Sequence, residues 1–209
     1  MRAVYFNLDL TLTRMERPFD ALVVETLQEA GIPDPEIDAT RQSNLFFDRF
    51  LDLEPEPLAG AYRAHFEELE ADPDLTPEEA ARFQKQLEVD AVRPAVEDLP
   101  GLVEAVADEF AVGVLTSGLP DLQRAKLEKL GIDDLLDDVA ISYDLDATKE
   151  SGDLFAAAAD RLDASAYAYV SNHDSDREAA AAAGWATVDA DAAELADAPV
   201  ARIRDATGW

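Results

Sequence analysis

Polar residues alternate with leucines directly after the first apolar run of the chain. Residues 3–8 are predicted to form a buried strand, and Asn7, Asp9 and Thr11 follow each other at every second position where it ends. Ligands of open parallel sheets bind outside the carboxyl ends of the strands, so these side chains are candidates for contact with a ligand. The position best placed to carry a carboxylate is an amide, that of Asn7.

Polar side chains also follow or precede later elements of the same kind. Thr116 and Ser117 follow the apolar run at 111–115, Lys149 precedes a predicted helix, and the strand predicted at 166–171 runs into a polar segment that ends at Asp176. Four polar segments of this kind are expected to converge on one edge of a sheet.

Strands and helices alternate from about Pro94 onward, which predicts βαβ units and a parallel sheet. The predicted strands after the first are 111–115, 138–142, 166–171 and 185–189, and the predicted helices are 98–109, 119–130, 151–163, 175–183 and 191–206. The first strand is separated from the others, so it must join this later sheet.

The intervening segment has helical periodicity only. Apolar residues recur at helical spacing from Phe19 to Ala30, and further helices are predicted at 36–52, 57–70 and 77–90. Thr76 and Glu79 form a capping box around Pro77 for the last of these. The predicted domains are therefore a core made of 1–14 and 94–209 and an inserted helical domain at 15–93.

The composition restricts the partners. Among 209 residues, 46 are acidic and 17 are basic, for a net charge of −29, and lysine occurs only at 85, 126, 129 and 149. This composition is typical of folded proteins from salt-loving organisms, where high ionic strength screens the repulsion of the surface. It argues against nucleic acid and anionic membranes as partners, since both require a basic surface. With no cysteine, thiolate chemistry is excluded. No signal peptide or apolar span is visible, so a cytoplasmic location is expected.

The order and spacing of these segments resemble the haloacid dehalogenase-like (HAD) hydrolase superfamily, in the branch with a helical cap inserted after the first motif. The family pattern Asp-x-Asp-x-Thr, an apolar strand ending in Thr or Ser, a Lys before a helix, and a late Gly-Asp with a further Asp corresponds here to Asn7-Leu8-Asp9-Leu10-Thr11, Thr116-Ser117-Gly118, Lys149 through Phe155, and Ser171-Asn172 with Asp176. The resemblance covers essentially the whole chain. It implies an α/β fold, with a Rossmann-like parallel sheet core and an inserted all-helical cap domain.

The resemblance also implies roles for these positions. The nucleophile position is Asn7, the general acid/base is Asp9, and Thr116 and Lys149 hold the phosphoryl oxygens of a small phosphorylated molecule or phosphate. Substrate contacts are implied for Thr11, Ser117, Gly118 and Lys149. A magnesium ion is implied at Asn7, the carbonyl group of Asp9, Asn172 and Asp176.

Two departures fall on this chemistry. An amide at residue 7 is a poor nucleophile, and amides at residues 7 and 172 remove two negative charges from the predicted magnesium shell. Weak or absent magnesium binding is therefore expected. Asn7 is interpreted first as a lost nucleophile. An engineered substitution, deamidation to aspartate and a misplaced register are the other interpretations.

Two functional hypotheses follow. One is a phosphatase-type hydrolase for a small phosphorylated metabolite, and the other is a catalytically impaired relative that keeps its anion pocket as a binding or protein-interaction module. Four side chains in or directly before the inserted domain are further candidates for substrate contact: Arg14, Arg17, Arg41 and Asn44. His173 is expected in a surface loop, and His65 is expected to be structural.

Overall fold

The computed structural model describes the backbone of residues 1–209 and every side chain except that of Pro35. Its strands are β1 (Arg2–Phe6), β2 (Thr13–Met15), β3 (Val92–Pro94), β4 (Ala111–Thr116), β5 (Asp138–Ile141), β6 (Ala166–Ser171) and β7 (Ala186–Asp189). Its helices are α1 (Phe19–Glu29), α2 (Ala39–Leu51), α3 (Pro57–Glu68), α4 (Pro77–Ala91), α5 (Leu99–Ala107), α6 (Pro120–Leu130), α7 (Ser142–Leu145), α8 (Asp153–Arg161), α9 (Asp174–Ala182), α10 (Ala192–Leu195) and α11 (Pro199–Thr207).

Five strands form one parallel sheet in the order β5-β4-β1-β6-β7. The first strand is central, because Val4 is in register with Val112 of β4 on one side and with Ala168 of β6 on the other. The carboxyl ends of β1, β4 and β6 therefore lie side by side. This is the α/β arrangement that the alternation of strands and helices predicts, and the sheet brings the three predicted polar segments to one edge.

The sheet is covered on both faces, as parallel sheets require. Alternate residues of β1 enter different clusters: Val4 and Phe6 belong to the apolar cluster of one face, and Ala3 and Tyr5 to that of the other. All four side chains are fully buried. The buried part of the strand has to be apolar, which explains why, after the exposed Arg2, the next charged or amide side chain appears only at residue 7.

A glycine in β4 lets one tyrosine cross the sheet face. Tyr5, Gly113 and Asp138 occupy successive register positions on β1, β4 and β5. A Cβ atom at Gly113 would lie 2.4 Å from Cε1 of Tyr5, so only glycine leaves room for this ring. The Tyr5 hydroxyl donates to Oδ2 of Asp138 at 2.9 Å, and Arg161 completes the cluster by an ion pair with the same carboxylate.

Helices α1 to α4 form a second compact unit, Met15–Ala91. The first unit consists of Met1–Arg14 together with Val92–Trp209. Within the second unit α1–α4 pack on each other, and Asp38 caps α2 by accepting from the Arg41 amide. The predicted capping box of α4 is present, since Glu79 Oε2 accepts from the Thr76 amide and Thr76 Oγ1 accepts from the Glu79 amide.

The structure differs from the sequence-based elements in several places, one of which is the unpredicted short helix α7. Strand β1 ends at Phe6, not at residue 8, because the chain turns there. The helix predicted at 191–206 is two helices, α10 and α11, since Ala198 has non-helical dihedral angles and the residue before a proline avoids the helical region. The short pair β2–β3 was not predicted.

In the part of the chain that the structure describes, no helix has both the length and the apolar character needed to cross a bilayer.

Candidate active site

The chain reverses direction immediately after β1. Residues 8–12 form a wide helical turn that contains two non-helical residues, Asp9 in extended conformation and Leu10 at φ 63°. The left-handed conformation of Leu10 is unusual for a residue with a side chain, and the Leu10 amide is held by the hydroxyl of Thr13 at 3.1 Å. The reversal brings Thr11 back to Asn7.

Asn7 is buried, and its amide group is fully hydrogen-bonded. Its Nδ2 donates to the carbonyl oxygen of Asp9 at 2.8 Å and to Oγ1 of Thr11 at 3.2 Å. Its Oδ1 accepts from Nζ of Lys149 at 2.9 Å. The side-chain amide is therefore held in one orientation, because its nitrogen faces two acceptors and its oxygen faces a donor.

The predicted lysine joins residue 7 to the last predicted motif. Nζ of Lys149 lies 2.5 Å from Oδ2 of Asp176, and the same carboxylate oxygen accepts from the hydroxyl of Tyr169 at 3.3 Å. Burial lowers the pKa of Lys149, and the Asp176 carboxylate opposes that shift. Burial raises the pKa of Tyr169 well above its ordinary value, with a further contribution from Asp176. An ion pair with little exposure to solvent is thus built into the end of the sheet.

A second ion pair, which the sequence analysis missed, holds Asp9. Nζ of Lys126 lies 2.9 Å from Oδ1 of Asp9, and Nε2 of Gln123 donates to Oδ2 at 2.8 Å. Gln123 Nε2 also donates to Oγ1 of Thr116 at 2.8 Å. Both residues come from α6, three positions apart, where they share one helix face. The signal that could have identified Lys126 is the one that identified Lys149, namely that lysine is rare in this chain.

The predicted ligand-binding loop at 116–118 is covered by the same glutamine. A Cβ atom at Gly118 would lie 2.5 Å from Cγ of Gln123, so a larger residue there would displace it. The Gly118 amide donates to Oγ of Ser142 at 3.0 Å, and the Ser117 carbonyl lies 3.4 Å from Gln123 Nε2. In this structure Gly118 makes room for Gln123, and its amide is engaged by Ser142.

Asn172 closes the network from the side of β6. Its Oδ1 accepts from Oγ1 of Thr11 at 3.1 Å, and its Nδ2 donates to the carbonyl oxygen of Leu10 at 3.0 Å. Asn7, Thr11 and Asn172 thus form a hydrogen-bonded chain of uncharged groups. The predicted site residues on β1, β4 and β6 and at Lys149 are brought together, in two networks joined by the bond from Asn7 to the Asp9 carbonyl group.

The oxygen atoms of these residues do not fit the magnesium site that the resemblance implies. The Asp9 carbonyl oxygen accepts a hydrogen bond from Asn7. The side-chain oxygens of Asn7 and Asn172 accept from Lys149 and Thr11, so three of the four implied magnesium ligands already accept hydrogen bonds from the protein. The remaining one, Asp176, is paired with Lys149. Two carboxylates and two ammonium groups give the site no net charge, whereas magnesium prefers anionic oxygen ligands. Among the described residues, no group of three or more His, Asp or Glu side chains is placed to hold a metal ion.

Three of the other candidates have side-chain partners nearby. In the helical unit, Arg17 pairs with Glu25 and Arg41 pairs with Glu68, while Asn44 is exposed. His65 is buried, and its Nδ1 lies 3.0 Å from Oε1 of Gln42. Arg14 is exposed, and the partly exposed His173 precedes the first turn of α9.

Comparison with protein families supplies the classification. The family model described as haloacid dehalogenase-like hydrolase matches residues 1–184, which is most of the chain. The chain belongs to the HAD-like hydrolases. A comparison with curated proteins finds no match.

Solved structures of HAD proteins share the fold. A HAD-hydrolase of Bacillus subtilis, YfnB bound to magnesium, is 14% identical, with a TM-score of 0.67 over 89% of this chain and 86% of that one. The 2-haloacid dehalogenase of Pseudomonas syringae is 23% identical, with a TM-score of 0.66 over 90% and 85%. The L-2-haloacid dehalogenase of Xanthobacter autotrophicus is 18% identical, with a TM-score of 0.61 over 88% and 75%. At these identities the likeness establishes the fold alone.

Proposed function

We propose that this HAD-like protein binds a small phosphorylated molecule or phosphate at the end of the sheet and that its capacity for hydrolysis is impaired. The observation that carries the proposal is the contact between Lys149 and Asn7. The buried ammonium group binds an amide oxygen at the position where the family has its nucleophilic aspartate.

The chemistry of residue 7 argues against turnover. An amide oxygen is a poor nucleophile, and here it also accepts a hydrogen bond from an ammonium group, which withdraws electron density further. The carboxylate of Asp9 is bonded at both oxygens, by Lys126 and Gln123. A general acid has to direct a proton at the leaving group, whereas both oxygens of Asp9 already accept hydrogen bonds from α6.

The groups that would hold an anion remain. Lys149 carries a positive charge at the centre of the site, and Thr116 carries a hydroxyl group whose oxygen already accepts from Gln123. Its proton is directed at the carbonyl oxygen of Ser117 at 3.5 Å, a long contact that an anion can replace. An ammonium group and a hydroxyl donor at the end of a parallel sheet are suited to an oxyanion. If no anion binds, the protein-interaction module is the remaining hypothesis.

A second candidate comes from the structural relatives. Several are named as dehalogenases of 2-haloacids, and a neutral site without a metal suits a carboxylate substrate. The Ser171-Asn172 pair also resembles the last motif of that branch. A dehalogenase of this family still needs the aspartate nucleophile, so we expect no halide release from L-2-chloropropionate.

One experiment separates binding from hydrolysis. Turnover of 4-nitrophenyl phosphate is measured with magnesium in molar potassium chloride, because the acidic composition indicates a need for salt. The proteins are the unaltered chain, the double variant Asn7→Asp with Asn172→Asp, and Asn44→Asp as a control of equal chemistry at an exposed position. We expect turnover in the double variant alone.

Robust turnover by the unaltered chain would overturn the impaired assignment. Absence of turnover in the double variant would mean that the pocket as a whole, and not only the two amides, has lost phosphatase chemistry. Phosphate binding by the unaltered chain, followed by calorimetry, tests the anion pocket independently of either result.

A further inference from the structure

We propose that Gln123 is an internal gate of the anion pocket. In the resting protein its carboxamide group occupies the place beside Thr116 and Asp9 that an oxyanion would take, and binding requires this one side chain to move. This inference rests on the proposed function, because it concerns the same pocket.

The first support is the position of the side chain. Gln123 and Thr116 are each 1% exposed, and Nε2 of Gln123 reaches three groups of the site. It donates to Asp9 and Thr116 at 2.8 Å each and approaches the Ser117 carbonyl at 3.4 Å. The Thr116 hydroxyl, which the resemblance assigns to the phosphoryl group, is therefore already engaged by the protein itself.

The second support is the shape of the loop beneath it. Cγ, Cδ and Nε2 of Gln123 lie 2.5, 2.6 and 2.7 Å from the place of a Cβ atom at Gly118. The side chain therefore lies directly over the loop at 116–118. No ligand can approach the loop from that side while Gln123 holds this conformation.

The third support is an unpaired atom. Oε1 of Gln123 is buried and has no hydrogen-bond partner among the described residues. Its orientation is fixed by Asp9, since exchanging the two ends of the amide would place an oxygen against the carboxylate. An unpaired buried acceptor carries a desolvation penalty. The closed conformation therefore holds one destabilising element that outward rotation of the side chain would remove, because water would then reach Oε1.

Closure has a defined effect on affinity. When the competent conformation is a fraction of the population, the apparent dissociation constant rises by the inverse of that fraction. If the open form is about one tenth of the molecules, removing the gate strengthens binding about tenfold. The gain has to depend on Lys149, because the ammonium group and not the gate supplies the attraction.

The test measures binding of inorganic phosphate by calorimetry in molar potassium chloride. The variants are Gln123→Ala, Gln123→Val and, as a matched control on an exposed glutamine of α4, Gln86→Ala. Gln123→Val keeps more of the packing on α6 than alanine does while removing the part of the side chain that covers the loop, so it serves if the alanine variant is unstable. Near-ultraviolet circular dichroism checks that each variant is folded.

We expect both Gln123 variants to bind phosphate about tenfold more tightly than the unaltered chain. The Gln86 variant should bind as the unaltered chain does. Adding Lys149→Met to a Gln123 variant should abolish the gain. If the unaltered chain binds and the Gln123 variants bind no better, the gate is wrong and the anion pocket stands. If only the Gln123 variants bind, the gate is supported and the unaltered chain is not an anion-binding protein. If none binds, both proposals fail.

Discussion

Nζ of Lys126 lies 2.9 Å from Oδ1 of Asp9, yet the two partners differ in exposure: the lysine side chain is 5% exposed and the aspartate 39%. The pair joins α6 to the turn after β1, two elements that are 117 positions apart in the chain. A partly hydrated carboxylate recovers some solvation when its partner is lost. The pair is therefore expected to contribute less than a fully buried one.

The double-mutant cycle of Lys126→Met and Asp9→Asn measures this contribution. We expect a coupling free energy of about 1 kcal/mol by chemical denaturation, because the carboxylate is discounted for its exposure. Methionine keeps the apolar part of the lysine, so lost packing contributes little. A coupling near zero would show that the contact does not stabilise the folded protein.

Returning carboxylates to residues 7 and 172 should make stability depend on magnesium. In Asn7→Asp with Asn172→Asp, a carboxylate oxygen replaces the Nδ2 group that lies 2.8 Å from the Asp9 carbonyl oxygen, and two acceptors then face each other. We expect a loss of about 1–3 kcal/mol in chelator and its recovery with magnesium. Thermal unfolding with and without magnesium measures both.

The controls for this prediction are the unaltered chain and Asn44→Asp. Both should respond to magnesium equally and weakly, through the acidic surface alone. A saturable stabilisation of the unaltered chain by magnesium would contradict the conclusion that its oxygen atoms do not fit a magnesium ion.

His65 should make the protein less stable in mild acid. Burial lowers the pKa of this imidazole below its usual value, with opposing contributions from Glu68 and Asp38. The unfolded chain then binds a proton near pH 6.5 while the folded one does not, so the free energy of unfolding falls as the pH falls from about 6.5 through the lowered folded pKa. Above that range the contribution of His65 is fully present.

The measurement is the free energy of unfolding against pH for the unaltered chain, His65→Gln and His173→Gln. The slope below pH 6.5 should be smaller in His65→Gln than in the unaltered chain, and His173→Gln, which removes the other imidazole, is the comparison. An equal loss of slope in both variants would show that the imidazole of His65 is not its origin.

Gly118 and Gln123 should be coupled. In Gly118→Ala the new methyl group would lie 2.5 Å from Cγ of Gln123, so the side chain has to move, at an expected cost of about 1–3 kcal/mol. In Gln123→Ala the obstacle is gone, and Gly118→Ala should then cost a few tenths of a kcal/mol. Denaturant unfolding of the two single variants and the double variant decides this, and simple additivity would argue against the contact.

The sequence predicted the parallel sheet and most of the residues that the structure brings together at its end, because both leave patterns in the order of residues. Asn7, Asp9, Thr116 and Lys149 stand at element ends, where a polar residue after an apolar strand is conspicuous. Gln123 and Lys126 lie inside α6, where inward and outward polar residues look alike until the helix is placed against the sheet. Contacts of long sequence separation, such as that of Lys126 with Asp9, leave no local pattern.

The turn after β1 shows a second limit of the sequence. Leu10 adopts the left-handed conformation that usually indicates glycine or asparagine, and nothing in a leucine announces it. The conformation is imposed by its neighbours, since Thr13 holds the Leu10 amide and Asn172 holds its carbonyl group. A backbone conformation that tertiary contacts impose in this way cannot be predicted from the neighbouring residues in the sequence.

The burial of Lys126 and Lys149 has a consequence for chemical labelling. Half of the four lysines of the chain lie within the site, at 4% and 5% exposure, whereas Lys129 is exposed and Lys85 is partly so. Amine-reactive reagents should therefore modify Lys85 and Lys129 in the folded protein and leave the other two unmodified. Modification of either protected lysine, read by peptide mass, becomes a direct reporter of molecules in which the end of the sheet has opened.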